Sequence, residues 1–259
     1  MSDKDLLYRI EGSIAYVTIN REKQRNSISS ETVTLFREYL DQAEKDETVR
    51  VLCITGAGEK AFCSGADLGN VMSKESAGGD DPLRNYADLL KRIASFPKPT
   101  VARVNGYCLA GGTGFMLACD IVIARDDTQF GTPEVNVGLF PMMIGALIFK
   151  NVPRKKAMEM VLLGDKLSSA EALDMGLITR SVPFGKLDEE VGIVLKSLAA
   201  KSPVGMKIGK EAFYAMDTMP FEEALDYLCG KLAEVASTED AVEGITAFIE
   251  KRPPVFKGK

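Results

Sequence analysis

Two short glycine turns constrain this chain more than any other feature. They are Phe62-Cys63-Ser64-Gly65-Ala66-Asp67-Leu68 and Val104-Asn105-Gly106-Tyr107-Cys108-Leu109-Ala110-Gly111-Gly112. Each follows a run that reads as a buried strand and precedes a run able to open a helix. A strand that turns sharply into a helix leaves backbone N–H groups without internal partners. Two such turns can aim their N–H groups at one place, and such a pair holds negative charge developing on a carbonyl oxygen. The pattern points to an α/β fold that stabilises an enolate or a related oxyanion.

The flanking sequence supports this architecture. Ile14 to Asn20 is rich in β-branched residues and reads as a strand. Ser29 or Ser30 caps a helix to about Lys45, and Val49 to Thr55 is a second strand. Strand, helix and strand in this order form a crossover unit with parallel strands. Residues 71–82, with Ser73, Ser76, Gly78, Gly79, Asp80 and Asp81, read as a surface loop and a candidate lid. A helix follows from about Pro82 to Ser95, then strands at Thr100–Val104 and Ile121–Ala124. Beyond Met142 the pattern turns mostly helical, with a capping box at Ser168-Ser169-Ala170-Glu171. Thr238 caps the last long helix, to about Lys251. We expect a β/α core over residues 1–200 and a helical region over 201–259 that packs on the core or on a neighbouring copy.

Composition narrows the chemistry. The chain of 259 residues contains no histidine. That removes the commonest general base, the Ser-His-Asp triad and His-ligated metals. Acid–base work near neutral pH falls to carboxylates. The five cysteines include no CxxC pair, so neither a disulfide frame nor a metal site is expected, and a cytoplasmic setting fits. The net charge of −5 argues against nucleic acid as a partner. The longest apolar run, around Val137 to Phe149, is broken by Gly and Pro, so no membrane span is expected.

Further motifs follow in order: Asn20-Arg21 with Asn26, Lys98-Pro99-Thr100, Cys119-Asp120-Ile121, Phe130-Gly131-Thr132-Pro133-Glu134, Ala157-Met158-Glu159-Met160 and Gly164-Asp165-Lys166. With the two glycine turns they make the chain resemble the enoyl-CoA hydratase/isomerase (crotonase) family over nearly its whole length. The resemblance implies a crotonase-like spiral of ββα units with a C-terminal helical region, assembled as a homotrimer or a dimer of trimers. It implies an acyl-CoA substrate whose thioester carbonyl is held by the N–H groups of Ala66 and Gly111. Coenzyme A is then part of the substrate, and no separate cofactor is expected.

Glu134 is implied as the catalytic acid or base, since the family carries a glutamate at this place. Taken alone, it is equally a loop glutamate among 37 acidic residues, and the motif decides. Lys23 and Arg25 are candidates for gripping the nucleotide end, because phosphates favour such donors. Ser64 and Leu68 would face the pantetheine arm, and Asp67 between them is counted with the substrate-binding residues. Lys251 sits where a neighbouring subunit's tail reaches the CoA phosphates in some relatives. As acids, Asp67 and Asp120 read better as acceptors for backbone N–H groups at turns. Cys63 and Cys108 read as buried cysteines with no base beside them.

Two departures shape the expected reaction. Hydratases of this family usually carry a second glutamate three residues after the oxyanion glycine, and this chain has Gly114 there. Thr113 can position a water or a substrate group but carries no charge. Adding water is helped by two carboxylates, whereas a double-bond shift needs one. The sequence therefore favours isomerisation or an assisted hydration of an unsaturated acyl-CoA. Second, Met142-Met143-Ile144 follows Pro141 in place of a glycine-rich turn, as an acyl pocket wall or as helix core. Glu75, Asp80 and Asp81 are remote candidates for a replacement acid. Thioester hydrolysis, decarboxylation and a non-catalytic acyl-CoA-binding subunit are the competing readings.

Overall fold

The computed structural model describes residues 4–66 and 81–259. Strands β1 (Leu6–Glu11), β2 (Ile14–Ile19), β3 (Val51–Gly56), β5 (Thr100–Val104), β7 (Ile121–Arg125) and β10 (Arg180–Val182) form one sheet in the order β1-β2-β3-β5-β7-β10. β1 and β2 are an antiparallel hairpin turned at Gly12, and all other neighbours are parallel. A smaller sheet contains β4 (Ala61–Cys63), β6 (Tyr107–Leu109), β8 (Gln129–Gly131) and β9 (Lys166–Ser168), in that order.

The chain alternates between the sheets. It lays β3 in the large sheet, β4 in the small one and then, beyond the undescribed stretch, helix α2 (Pro82–Ala94). It repeats this with β5, β6 and α3 (Gly111–Leu117), and places β7 and β8 in the same two sheets. Helix α1 (Ser30–Lys45) joins β2 to β3, as the crossover pattern predicts. Ser29 is its N-cap, with Thr32 completing a reciprocal box.

Period-two alternation explains the core. On β3, Leu52 and Ile54 face the main cluster with Phe36, Phe62, Phe96, Phe115 and Phe130. The intervening Val51 and Cys53 face the other side, with Val101, Ile123 and the Leu187, Val191, Val194 and Leu195 face of α7 (Leu187–Ala199). Strands covered on both faces read as near-continuous apolar runs, which is how β3 looks in the sequence, while β5 interrupts its run at Arg103.

Helices α4 (Met142–Asn151) and α5 (Arg154–Leu163) separate β8 from β9, and α6 (Ser169–Asp174) follows β9. The region beyond Met142 also supplies β9 and β10, which the helical pattern hides. The chain ends in α8 (Pro203–Met216), α9 (Phe221–Ala236) and α10 (Glu239–Ile249). α9 buries none of its residues, and Phe221, Leu225, Leu232, Val242, Ile245, Phe248 and Ile249 stand exposed on α9 and α10. Among the described residues no helix is long and apolar enough to cross a membrane.

Candidate active site

The site begins where the two glycine turns meet. Gly65 has φ +97°, in the region that favours glycine, and a methyl group there would lie 2.6 Å from Ala110 Cβ and 3.2 Å from Gly111 N. Gly112 packs on the first turn, since a methyl group there would come within 2.3 Å of the Cys63 carbonyl oxygen. Only hydrogen fits at these contacts. The first turn is anchored from behind: Ile28 N donates to Gly65 O at 2.8 Å, and Ser64 N donates to Arg25 O at 3.2 Å. Among the described residues no acceptor takes the N–H of Ala66 or of Gly111.

The second turn carries backbone strain. Ala110 has φ 50° and ψ −128° and immediately precedes α3. A non-glycine residue in such a region costs of order 1–3 kcal/mol and persists only where its surroundings hold it. Ala110 N donates to Gly131 O at 2.9 Å, and Thr113 N donates to Ala110 O at 2.9 Å. Thr113 is fully buried, and its hydroxyl donates toward Cys108 O and Gly131 O, each 3.3 Å away. Its side chain is therefore committed to holding the turn, which corrects the expectation that it positions a water or a substrate group.

The bond from Ala110 to Gly131 also brings Glu134 here. Three residues beyond Gly131, Glu134 lies in the first turn of a 3-10 helix, Pro133–Val137. The buried Thr132 hydroxyl donates to Met160 O at 3.1 Å and fixes the entry to that helix. Leu139 N donates to Glu134 O at 3.0 Å and fixes the exit. The side chain is half-buried. Its Oε2 is shielded from solvent and has no hydrogen-bond partner among the described residues. Burial holds the carboxyl above the usual glutamate range, opposed only by its own backbone N–H. A carboxyl in that state is poised to exchange a proton.

A hydroxyl that the sequence did not single out stands against the second turn. Tyr86, on α2, donates to Gly111 O at 2.5 Å, and its ring packs on Phe115 at 5.6 Å. It occupies the apolar face of an amphipathic helix with Leu90 and Ile93, where an aromatic residue reads as core.

The other candidates sort clearly. Arg25 and Lys23 are exposed at the rim beside the first turn, and Arg25 has left-handed backbone with φ 52°. Asn26 pins this loop by accepting from Arg21 N and donating to Ala57 O and Ala61 O. Ser64 is half-buried in the first turn. Met142 is 75% exposed, so it is not helix core; Ile144 and Ile148 fill that role. Val137, Leu139 and Phe140 are also exposed and continue the apolar rim from Glu134 to Met142. Lys251 is exposed just after α10, and among the described residues no hydrogen bond joins it to the site.

Asp120 accepts from Thr100 N at 2.7 Å and pairs with Lys210, a structural role. Asp81 caps α2 by accepting from Leu83 N and Arg84 N, so it is not a replacement acid. Asp67, Leu68, Glu75 and Asp80 lie outside the described residues, as does most of the expected lid. Burial pushes the Cys63 thiol up to about 12, and Cys108 is buried likewise, so neither is a nucleophile at neutral pH.

Known proteins resemble the chain over nearly its whole length. A family model described as enoyl-CoA hydratase/isomerase matches residues 9–259. The chain is 32% identical over 250 residues to the (E)-benzylidenesuccinyl-CoA hydratase of Thauera aromatica, covering 96% of this chain and 97% of the relative. It is 34% identical over 253 residues to the carnitinyl-CoA dehydratase of Escherichia coli strain K12, covering 96% of each. The crystal structure of an enoyl-CoA hydratase from Bacillus anthracis superposes with a TM-score of 0.90 at 30% identity, covering 98% of this chain and all of that one.

Proposed function

As the chain belongs to the enoyl-CoA hydratase/isomerase family and has the crotonase fold, we propose that it acts on an unsaturated acyl-CoA thioester through an enolate. The thioester oxygen lies against the N–H groups of Ala66 and Gly111, and Glu134 moves the proton. The observation that carries this reading is the buried Glu134 Oε2, without a partner among the described residues and three positions beyond Gly131, whose carbonyl Ala110 N holds.

In a double-bond shift, the Glu134 carboxylate takes a proton from the α-carbon of a 3-enoyl thioester. The electron pair moves onto the thioester oxygen, where the two amides stabilise it. Glu134 then returns the proton to the γ-carbon, leaving the conjugated 2-enoyl thioester. One carboxylate suffices, and Gly114 supplies no second. The exposed apolar rim from Val137 to Met142 receives the acyl group, and Lys23, Arg25 and Ser64 line the CoA side; Asp67 and Leu68 are assigned to substrate binding by their motif alone. Coenzyme A enters with the substrate, and no further cofactor takes part. The exposed apolar residues of α9 and α10 are the face on which copies assemble into a trimer, which brings Lys251 to a neighbour's CoA. Residues 201–259 form that assembly region.

Hydration is the second reading. It is favoured by the names of the similar proteins, which are hydratases and a dehydratase. The absorbance of the conjugated thioester separates the two. Isomerisation generates it from 3-enoyl-CoA, and hydration consumes it from 2-enoyl-CoA. Tight binding of CoA thioesters with turnover of neither substrate would leave a binding subunit instead.

A further inference from the structure

Position 114 has no room for a side chain. A methyl group on Gly114 would lie 2.4 Å from the Tyr86 hydroxyl, 2.7 Å from Ile144 Cγ2 and 3.2 Å from Leu90 Cδ2. The same hydroxyl would be 3.2 Å from a methyl group on Gly111. The phenol therefore sits over the face of α3 between Gly111 and Gly114 and fills the space both glycines leave. Its proton is directed at Gly111 O.

We propose that Tyr86 is a positioning residue of this active site: its hydroxyl fixes the peptide after Gly111 and takes the volume that a second carboxylate at position 114 would need. The inference rests on Gly111 being an oxyanion donor. Gly114 then follows from the presence of Tyr86, and the single-carboxylate site is built in from α2. Burial, and then the nearby Cys63 and Glu134, hold the phenol well above its usual range, so it stays neutral beside Glu134. A neutral donor braces the turn without adding a charge that competes with the developing enolate.

The mechanism by which the brace acts is geometric. α3 begins at Gly111 directly after the strained Ala110, and the Tyr86 hydrogen bond is a side-chain tie from outside the turn. Without it the Gly111 N–H can shift relative to the thioester oxygen, and displacements of this kind reduce turnover more than binding.

A double-mutant cycle of Tyr86→Phe and Gly114→Ala tests this, read by kcat, KM, melting temperature and the absorption band of a bound aryl-conjugated enoyl-CoA. Hydrogen bonding to the thioester carbonyl moves that band to longer wavelength. We expect Tyr86→Phe to lower kcat about tenfold with KM within about twofold and to reduce the band shift. Gly114→Ala, which displaces the same hydroxyl from the other side, should give the same pattern. The double variant should be no worse than the poorer single one, because both changes remove one interaction. Unchanged kcat and band shift in both single variants, or losses that multiply in the double, would overturn the inference. A wild-type protein that gives no band shift would instead overturn the oxyanion role of Gly111, and this inference with it.

Discussion

The turns at Gly65 and Gly111 offer the site main-chain N–H groups, whereas Glu134 offers it one side chain, and the two walls are held differently. The amide wall is fixed by contacts that only hydrogen atoms allow: Gly65 against Ala110, and Gly112 against the Cys63 carbonyl. The carboxylate wall is fixed at its backbone by Thr132 and Leu139, while Glu134 Oε2 has no hydrogen-bond partner among the described residues. One wall is rigid because it is crowded. The other keeps a carboxyl that burial holds above its usual range. Substitution should therefore damage the first through packing and the second through chemistry.

Glu134→Gln gives the largest expected effect. Removing the proposed acid–base group should lower turnover about 10³-fold, close to 4 kcal/mol of barrier, with CoA affinity retained. Wild-type kcat/KM should fall at acid pH along a limb centred above the ordinary glutamate value of 4.5. The sign for stability follows from the same shift. The folded state holds this proton more tightly than the unfolded state does, so its stability falls as pH rises from 4.5 through the raised value. Gln carries no such charge. At neutral pH the variant should melt no lower than wild type, and any gap should close in acid. An unchanged turnover, or a variant that melts lower at pH 7 than wild type, would break the contrast between the walls.

Gly112→Ala attacks the crowded wall. Its methyl group would meet Cys63 O at 2.3 Å and Cys63 Cβ at 2.8 Å. Neither turn can move without losing the other, so we expect a loss of about 3 kcal/mol in denaturant unfolding. The folded fraction should also be poorly active, since the two N–H groups no longer converge. Full stability in this variant would mean that the turns are less tightly locked than their contacts imply.

The amide wall was largely legible in the sequence, because glycines at close approaches leave a local signature. Glu134 was singled out by its motif, and the structure adds that its Oε2 is buried without a partner among the described residues. The helix at Ser30–Lys45 was legible through its N-cap, and β3 through its apolar run; β5 was legible through its β-branched residues despite Arg103. The small sheet was not: β4, β6, β8 and β9 have three residues each, too few to show a period. β10 escaped for the same reason. Tyr86 escaped because its position on α2 marks it as core, and its hydroxyl reaches a residue 25 positions away. What a polar tip touches across the fold is set by packing between elements, which no local pattern carries.

Ala110→Gly is the gentlest test and separates strain from bracing within the amide wall. Glycine adopts φ 50° and ψ −128° without the penalty that alanine carries there. Against this, glycine gains freedom in the unfolded chain, about 0.4–1 kcal/mol. The net change should be a gain of about 1 kcal/mol or less, a rise in melting temperature of about 2–4 °C at most. The lost methyl group is also the contact that Ala110 presents to Gly65. If that contact keeps the two N–H groups together, the stabler variant should turn over a few-fold more slowly, with KM unchanged. A variant both stabler and equally active would show that the strain at Ala110 contributes nothing to the reaction, and that Gly65 and Gly112 alone hold the turns in register.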